Sequence, residues 1–179
     1  MSDRRIKKSK AALKQALLTI MKRKPLSKIT IKELCDCADL NRSTFYANYT
    51  DIYALLFEIH NDIFHDMNTF LKESSPPVHS APPRDEVYAL TQIISYLKEN
   101  QDIFQLMLTN NESNLFERHL TDYYMQKYVS KDADIAERYT FLYHSIGSFT
   151  LIHQWMTDGC PCSAEELARL ILEGSKSSN

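Results

Sequence analysis

The chain has 179 residues, of which 44% are apolar and 25% charged, and a net charge of −2. That is room for one or two small domains with a real core, and an ordinary balance for a soluble globular chain. No stretch of about 18 residues is free of charge, which argues against a membrane span, and the opening run S-D-R-R-I-K-K-S-K lacks the apolar segment of a signal peptide. Only 3 Gly in the whole chain favour helices over turn-rich sheet. The small net charge hides an asymmetry. Residues 1–50 hold 12 Lys and Arg against 4 Asp and Glu, a net +8, and residues 51–179 hold 9 against 19, a net −10. A basic head on an acidic body suits a head that meets a polyanion.

A first helix is predicted from about Arg4 to Arg23. Ile6, Leu13, Leu17, Ile20 and Met21 form its apolar stripe, and Lys7, Lys8, Lys10 and Lys14 lie largely on the other faces. These lysines read either as a solvated face or as part of a helix whose N-terminal end, led by Arg4 and Arg5, reaches a DNA backbone. Pro25 ends it, and Leu26 to Ile29 link to the next element. Thr30 followed three places later by Glu33 is the capping-box pattern, with Ile29 and Leu34 as a hydrophobic staple. A second helix therefore begins at Thr30 and runs through Ala38. Asn41 offers another N-cap, and Arg42 to Asn48 reads as a short third helix. Only Asp39 and Leu40 lie between. Two short helices joined by a tight turn make a helix-turn-helix, whose second helix can lie in the DNA major groove.

Leu40, Phe45 and Tyr49 recur at spacings of five and four and anchor this segment on a core. Arg42, Ser43, Thr44, Tyr46 and Asn48 are left facing outward. Arg forks onto guanine O6 and N7, and Ser and Thr hydroxyls serve bases or phosphates. Tyr and Asn near a helix start commonly hold phosphates. Arg42, Ser43 and Thr44 are the expected base contacts. Lys32, Tyr46 and Asn48 are the expected phosphate contacts, with Thr30 assisting from the start of the second helix. The alternative is a solvated helix hairpin in an all-helical protein.

The run T-I-K-E-L-C-D-C-A-D-L-N-R-S-T-F-Y-A-N-Y-T-D-I-Y-A-L-L resembles the DNA-binding domain of the TetR/AcrR family of transcriptional regulators. The resemblance extends from about Arg5 to about Ile59 and rests on T-F-Y, Tyr49 and Leu55. Further along, G-S-F-T-L-I-H-Q-W-M-T-D-G-C-P resembles a C-terminal domain found in regulators of this family from Firmicutes-like bacteria. The resemblance implies a homodimeric repressor, less often an activator, usually controlled by a small ligand. Two positions depart from the family pattern. The turn carries Asp39 where Gly is usual, and Asp tolerates a positive φ better than most non-Gly residues. Ile52 stands where the family often has a phosphate-contacting Lys, so that contact is not expected here.

A fourth helix starts at Thr50 or Asp51 and carries Ile52, Leu55, Leu56, Ile59, Ile63, Met67, Phe70 and Leu71 at three and four. It is long enough to belong to both halves of the molecule. His60 and His65, five apart, fall on different faces and read as structural. Residues 74–83, S-S-P-P-V-H-S-A-P-P, hold four of the six prolines and predict an exposed loop. A fifth helix follows from about Arg84 to Lys98. A sixth is capped by Asn100, and a seventh runs from about Glu112 to Val129. The eighth, from about Asp134 to Asp158, is apolar on more than one face and must bury more than one face. Gly159 fits its C-terminal cap, and Pro161 prevents its continuation. Ser163 and Glu166 form a second capping box that starts the ninth helix.

The expected fold is all-α: a three-helix DNA-binding head, residues 1–50, then a helical effector-binding and dimerisation domain, residues 51–179, about nine helices in all. Phe57, Phe64, Tyr88, Phe104, Tyr139 and Tyr143 are candidate effector-pocket residues, against the simpler reading that such aromatics are core. Ile146, Phe149, Trp155, Leu167, Leu170 and Ile171 are candidates for a dimer interface built by the eighth and ninth helices. The four cysteines form two C-x-C pairs, Cys35 with Cys37 and Cys160 with Cys162, not the C-x-x-C of common zinc sites. They read as structural, in a reducing, cytoplasmic setting. No P-loop, G-x-G-x-x-G, H-E-x-x-H or G-x-S-x-G appears, so no metal, cofactor or enzymatic activity is expected. The expected partners are double-stranded DNA with a palindromic operator, a second copy of the chain and a small-molecule effector, with no membrane. The rival readings are a ligand-binding or enzymatic bundle with a non-functional head, and a regulator whose body binds a protein.

Overall fold

The computed structural model describes residues 3–73, 86–109 and 113–176. Every regular element among them is helical, as expected: α1 (Asp3–Met21), α2 (Ile31–Cys37), α3 (Arg42–Tyr46), α4 (Ile52–Glu73), α5 (Glu86–Glu99), α6 (Gln101–Thr109), α7 (Ser113–Tyr128), α8 (Ile135–Thr157) and α9 (Ala164–Lys176), with a 3-10 turn at Leu26–Lys28. The expected proline-rich loop at 74–83 lies outside the described residues, as do the expected helix starts at Arg84 and Glu112. No described helix is long and apolar enough to cross a membrane. The chain divides into two compact units, one drawn from Met1–Ile63 and Gln105–Phe116, the other from Phe64–Phe104 and Glu117–Asn179.

The first unit packs α1, α2, α3 and the first half of α4 around one core. Leu13, Ala16, Leu17 and Ile20 recur at helical spacing on α1 and are buried. Leu34 from α2, Phe45 from α3, and Leu55, Leu56 and Ile59 from α4 are buried in the same unit. Each of the Leu, Ile and Phe side chains contributes about 1.5–3 kcal/mol on leaving water. α1 stops at Met21, two residues short of the expected Arg23. Arg23 N–H and Lys24 N–H both turn back to the Ile20 carbonyl, at 2.9 and 3.3 Å. Pro25 then sits extended at the head of the 3-10 turn and disfavours helix in the residue before it. His60 is buried, its ring edge-on to Phe116 at 4.9 Å, while His65 is exposed, so the two do fall on different faces.

In the second unit α9 packs along α5, burying Leu167, Ala168 and Ile171. Trp155 near the end of α8 is buried, its indole N–H donating to the Cys162 carbonyl at 3.1 Å. The Lys98 ammonium of α5 lies 5.6 Å above its ring. α8 closes as a Schellman motif: Cys160 N–H reaches the Trp155 carbonyl at 2.8 Å and Gly159 N–H the Met156 carbonyl at 3.1 Å. Gly159, at φ 80, takes the left-handed position that the cap requires. α9 opens on the expected capping box, with Glu166 N–H donating to Ser163 Oγ at 3.1 Å and Ser163 N–H donating to Glu166 Oε2 at 2.8 Å. Asn68 of α4 is buried and occupied: its amide donates to the Phe64 carbonyl and the Tyr123 hydroxyl, and its oxygen accepts from Lys127.

Candidate nucleic-acid interface

Residues 30–49 fold as the expected helix-turn-helix. Thr30 is extended at the head of α2 and its Oγ1 accepts from Glu33 N–H at 3.2 Å. The Glu33 carboxylate does not complete the box; it pairs with Lys24 instead. The Thr30 hydroxyl is exposed and, while accepting from Glu33, can still donate its own proton to an outside acceptor such as a phosphate. The turn is a second Schellman motif. Leu40 N–H reaches the Cys35 carbonyl at 3.0 Å, Asp39 N–H points to the Asp36 carbonyl at 3.4 Å, and Asp39 sits at φ 52. Asp does occupy the left-handed position where the family pattern has Gly. Beneath the turn Cys35 is buried, while Cys37 points to solvent. Burial pushes the Cys35 thiol up, and the nearby Arg42 charge opposes part of that rise.

α3 is shorter than expected, Arg42–Tyr46, and leaves Asn48 beyond its end. Asn41 stands at the N-cap position but its side chain makes no cap hydrogen bond. Phe45 is fully buried, with Tyr46 edge-on to it at 5.5 Å and Tyr49 at 5.8 Å. Anchored on Phe45 and Tyr49, α3 presents Arg42, Ser43 and Tyr46 to solvent, with Tyr46 58% exposed. Thr44 is half-buried. Asn48 is half-buried too, and its amide donates to the Thr44 carbonyl at 2.7 Å, tying down the end of the helix. That bond gives Asn48 a local structural task that its sequence position did not reveal. Ile52 is buried against the core of the first unit, so the position of the family's Lys carries packing here.

The basic residues of the head sort into two sets. Arg4, Arg5, Lys7, Lys8, Lys22, Arg23, Lys28, Lys32 and Arg42 are exposed. Lys10, Lys14 and Lys24 are half-buried and held by Glu58, by Glu58 and Asp62, and by Glu33. Among the described residues no ion pair engages Arg42 or Lys32. Nucleic acid would meet the exposed set first, because a cation held inside the protein by carboxylates is less available to neutralise a phosphate. Lys32 at the start of α2 and Arg42 at the start of α3 both belong to it.

Residues 88–175 match the family described as the transcriptional regulator C-terminal region of TetR type. Over 97% of its length the chain superposes on a TetR transcriptional regulator from Streptococcus agalactiae 2603V, covering 96% of that chain with a TM-score of 0.66 and 26% identity. The chain belongs to the TetR family of transcriptional regulators. It is 20% identical over 174 residues to the HTH-type transcriptional regulator YxbF of Bacillus subtilis (strain 168). That match takes in 92% of this chain but spans only 44% of the length of YxbF. The dihydroxyacetone kinase operon activator DhaS shares the fold, with a TM-score of 0.50 and 17% identity, each chain 95% covered.

In this TetR-type chain the candidate effector residues differ in exposure. Phe64 and Phe104 are fully buried, and Phe57, Tyr88, Tyr139 and Tyr143 are exposed, the last two by more than three-fifths. Phe64 belongs to a ring cluster of the second unit that no sequence pattern marked. Phe64 meets Tyr123 at 5.2 Å and His119 at 5.1 Å, and Tyr123 meets Tyr124 at 5.3 Å. The Tyr124 hydroxyl is buried without a hydrogen-bond partner among the described residues, and burial pushes its pKa up. The dimer candidates also divide. Trp155, Leu167 and Ile171 are buried within the chain, Phe149 is half-buried, and Ile146 and Leu170 are exposed. Ile135, Tyr139, Tyr143 and Ile146, spaced four, four and three apart, make one exposed apolar stripe along α8.

Proposed function

We propose that this protein is a homodimeric, sequence-specific DNA-binding regulator of transcription, acting in the cytoplasm as a repressor relieved by a small-molecule effector. One observation carries the reading: a short helix set on a Schellman turn, with Arg42, Ser43 and Tyr46 in solvent and Lys32 exposed on α2. Arg42 suits a guanine edge, and Lys32, Tyr46 and the Thr30 hydroxyl suit phosphates. Asn48 steadies α3 from below. The work assigned to the chain is binding, not catalysis.

A single five-residue helix reads few base pairs, so two heads are needed for useful specificity, and a two-fold dimer then asks for a roughly palindromic operator. The stripe of Ile135, Tyr139, Tyr143 and Ile146 on α8, with Leu170 on α9, supports pairing through these helices. Trp155, Leu167 and Ile171 support it indirectly by fixing α8 and α9 within their own chain.

The test is fluorescence anisotropy of purified protein on duplex DNA at graded salt. If a dimer neutralises on the order of 6–10 phosphates, affinity falls roughly 10³–10⁵-fold between about 50 and 200 mM salt. Affinity that stayed flat over that range would rule out a phosphate-held head.

A further inference from the structure

Four charged side chains gather where α1 meets α4, at positions no sequence motif marked. The Glu58 carboxylate on α4 divides its oxygens between two lysines of α1: Lys10 Nζ donates to Oε2 and Lys14 Nζ to Oε1, each at 2.7 Å. Lys14 also reaches Asp62 Oδ2 at 2.5 Å. Lys10 and Lys14 stand on successive turns of α1, and Glu58 and Asp62 on successive turns of α4, so two turns of one helix are laced to two turns of the other. The Lys10 ammonium lies 5.2 Å above the ring of Tyr49, and that ring packs on Phe45 of α3 at 5.8 Å. A continuous path therefore runs from Glu58 through Lys10 and Tyr49 to the helix that carries Arg42.

The environment fits a fixed network. Burial alone would raise the Glu58 carboxyl and lower the Lys14 ammonium, yet the pairing overrides it in both: Glu58 is held below the ordinary carboxylate range and Lys14 above the ordinary lysine value. Burial beside the Glu58 and Asp62 charges pushes the Tyr49 hydroxyl up. Lys10 and Lys14, two of the head's twelve cations, are thus spent inside the protein.

On the DNA-binding reading above, we infer that Glu58 is a positioning residue for DNA recognition: it fixes α1 and Tyr49, and through Tyr49 the recognition helix, in one orientation on α4, and it keeps Lys10 and Lys14 from acting as phosphate contacts. Hydrogen bonds to base edges demand a set orientation, whereas phosphate attraction tolerates many. Loosening the network should then cost operator binding more than binding to unrelated DNA.

The experiment measures the affinity of full-length variants for a selected operator duplex and for an unrelated duplex, at several salt concentrations, with circular dichroism as the fold control. Glu58→Gln should lower operator affinity about ten-fold and unrelated-DNA affinity less than about two-fold. Lys14→Arg, which keeps the charge, should retain the parent's selectivity. Lys10→Met should leave the salt slope unchanged, whereas Lys32→Ala should reduce its magnitude by about 0.9 per head. Equal loss on both duplexes in Glu58→Gln, or no loss on either, overturns the proposal. So does a Lys10→Met slope that falls as far as that of Lys32→Ala, a readout that holds even if Glu58→Gln folds poorly. A parent protein that prefers no duplex would sink the DNA-binding reading itself, before any Glu58 variant enters the argument.

Discussion

The dimer reading is most exposed to a charge at Ile146. This side chain is 44% exposed in the single chain, on the α8 stripe with Ile135, Tyr139 and Tyr143. Because it is not part of either core, Ile146→Asp should leave each chain folded, and any effect falls on association. Burying the exposed part of one Ile is worth roughly 1 kcal/mol, and two-fold symmetry counts it twice. Each new carboxylate would also lose its water with no cation of the stripe to meet it, at a cost of at least about 1 kcal/mol per copy and more if fully enclosed. The sum is about 4 kcal/mol, roughly a thousand-fold in dimer dissociation constant. Analytical ultracentrifugation over a range of protein concentrations should show parent dimers and Ile146→Asp monomers, with helical content unchanged. Trp155→Ala gives the contrast: Trp155 is buried within its own chain, so that change should lower the unfolding midpoint first. A dimer of Ile146→Asp as tight as the parent's would refute the assignment of this stripe.

Other outcomes follow from single residues. Asp39 sits at φ 52, so Asp39→Val, β-branched and unsuited to that conformation, should destabilise by about 1–2 kcal/mol in urea unfolding. Asp39→Gly should be neutral or slightly stabilising, because relief of strain is partly offset by the greater freedom of Gly when unfolded. Arg42→Ala should lose about 1–3 kcal/mol on the operator and relax preference at one base pair per half-site, while Lys32→Ala should weaken all duplexes alike. The Glu58 carboxyl is held below its ordinary value in the folded state, so its contribution to stability is complete above the ordinary carboxylate range and is lost as pH falls through the folded value. Glu58→Gln should therefore flatten that acid limb of an unfolding-midpoint profile; an unchanged limb would mean the pairing adds nothing. The effect is modest, because Lys10 and Glu58 each keep about a third of their surface in water.

What could be read in advance was local. Thr30, Asp39 and the Ser163–Glu166 box announce helix ends because capping is decided within four or five residues, and each stands where its pattern placed it. The many-faced apolarity of α8 was visible for the same reason. What escaped depends on neighbours distant in sequence. Periodicity says that Trp155, Leu167 and Ile171 are apolar, but not that they are buried in their own chain while Ile146 is left outside. That the Asn48 amide also ties to the Thr44 carbonyl was not visible in its spacing. Glu58 meets lysines 48 and 44 residues away, and nothing in a helix repeat of three and four announces such a pair. The six aromatics chosen for an effector site share composition but differ in burial, which composition does not announce.

Whether the helix-turn-helix reads DNA sequence is decided by selection of bound fragments from a random duplex pool with the purified full-length protein. The expected result is enrichment of a two-fold-symmetric motif whose half-sites are centred about one helical turn, or a whole number of turns, apart, with a guanine in each half-site that Arg42→Ala no longer selects. A pool that emerges with no enriched motif, or with the same motif from Arg42→Ala, would contradict it.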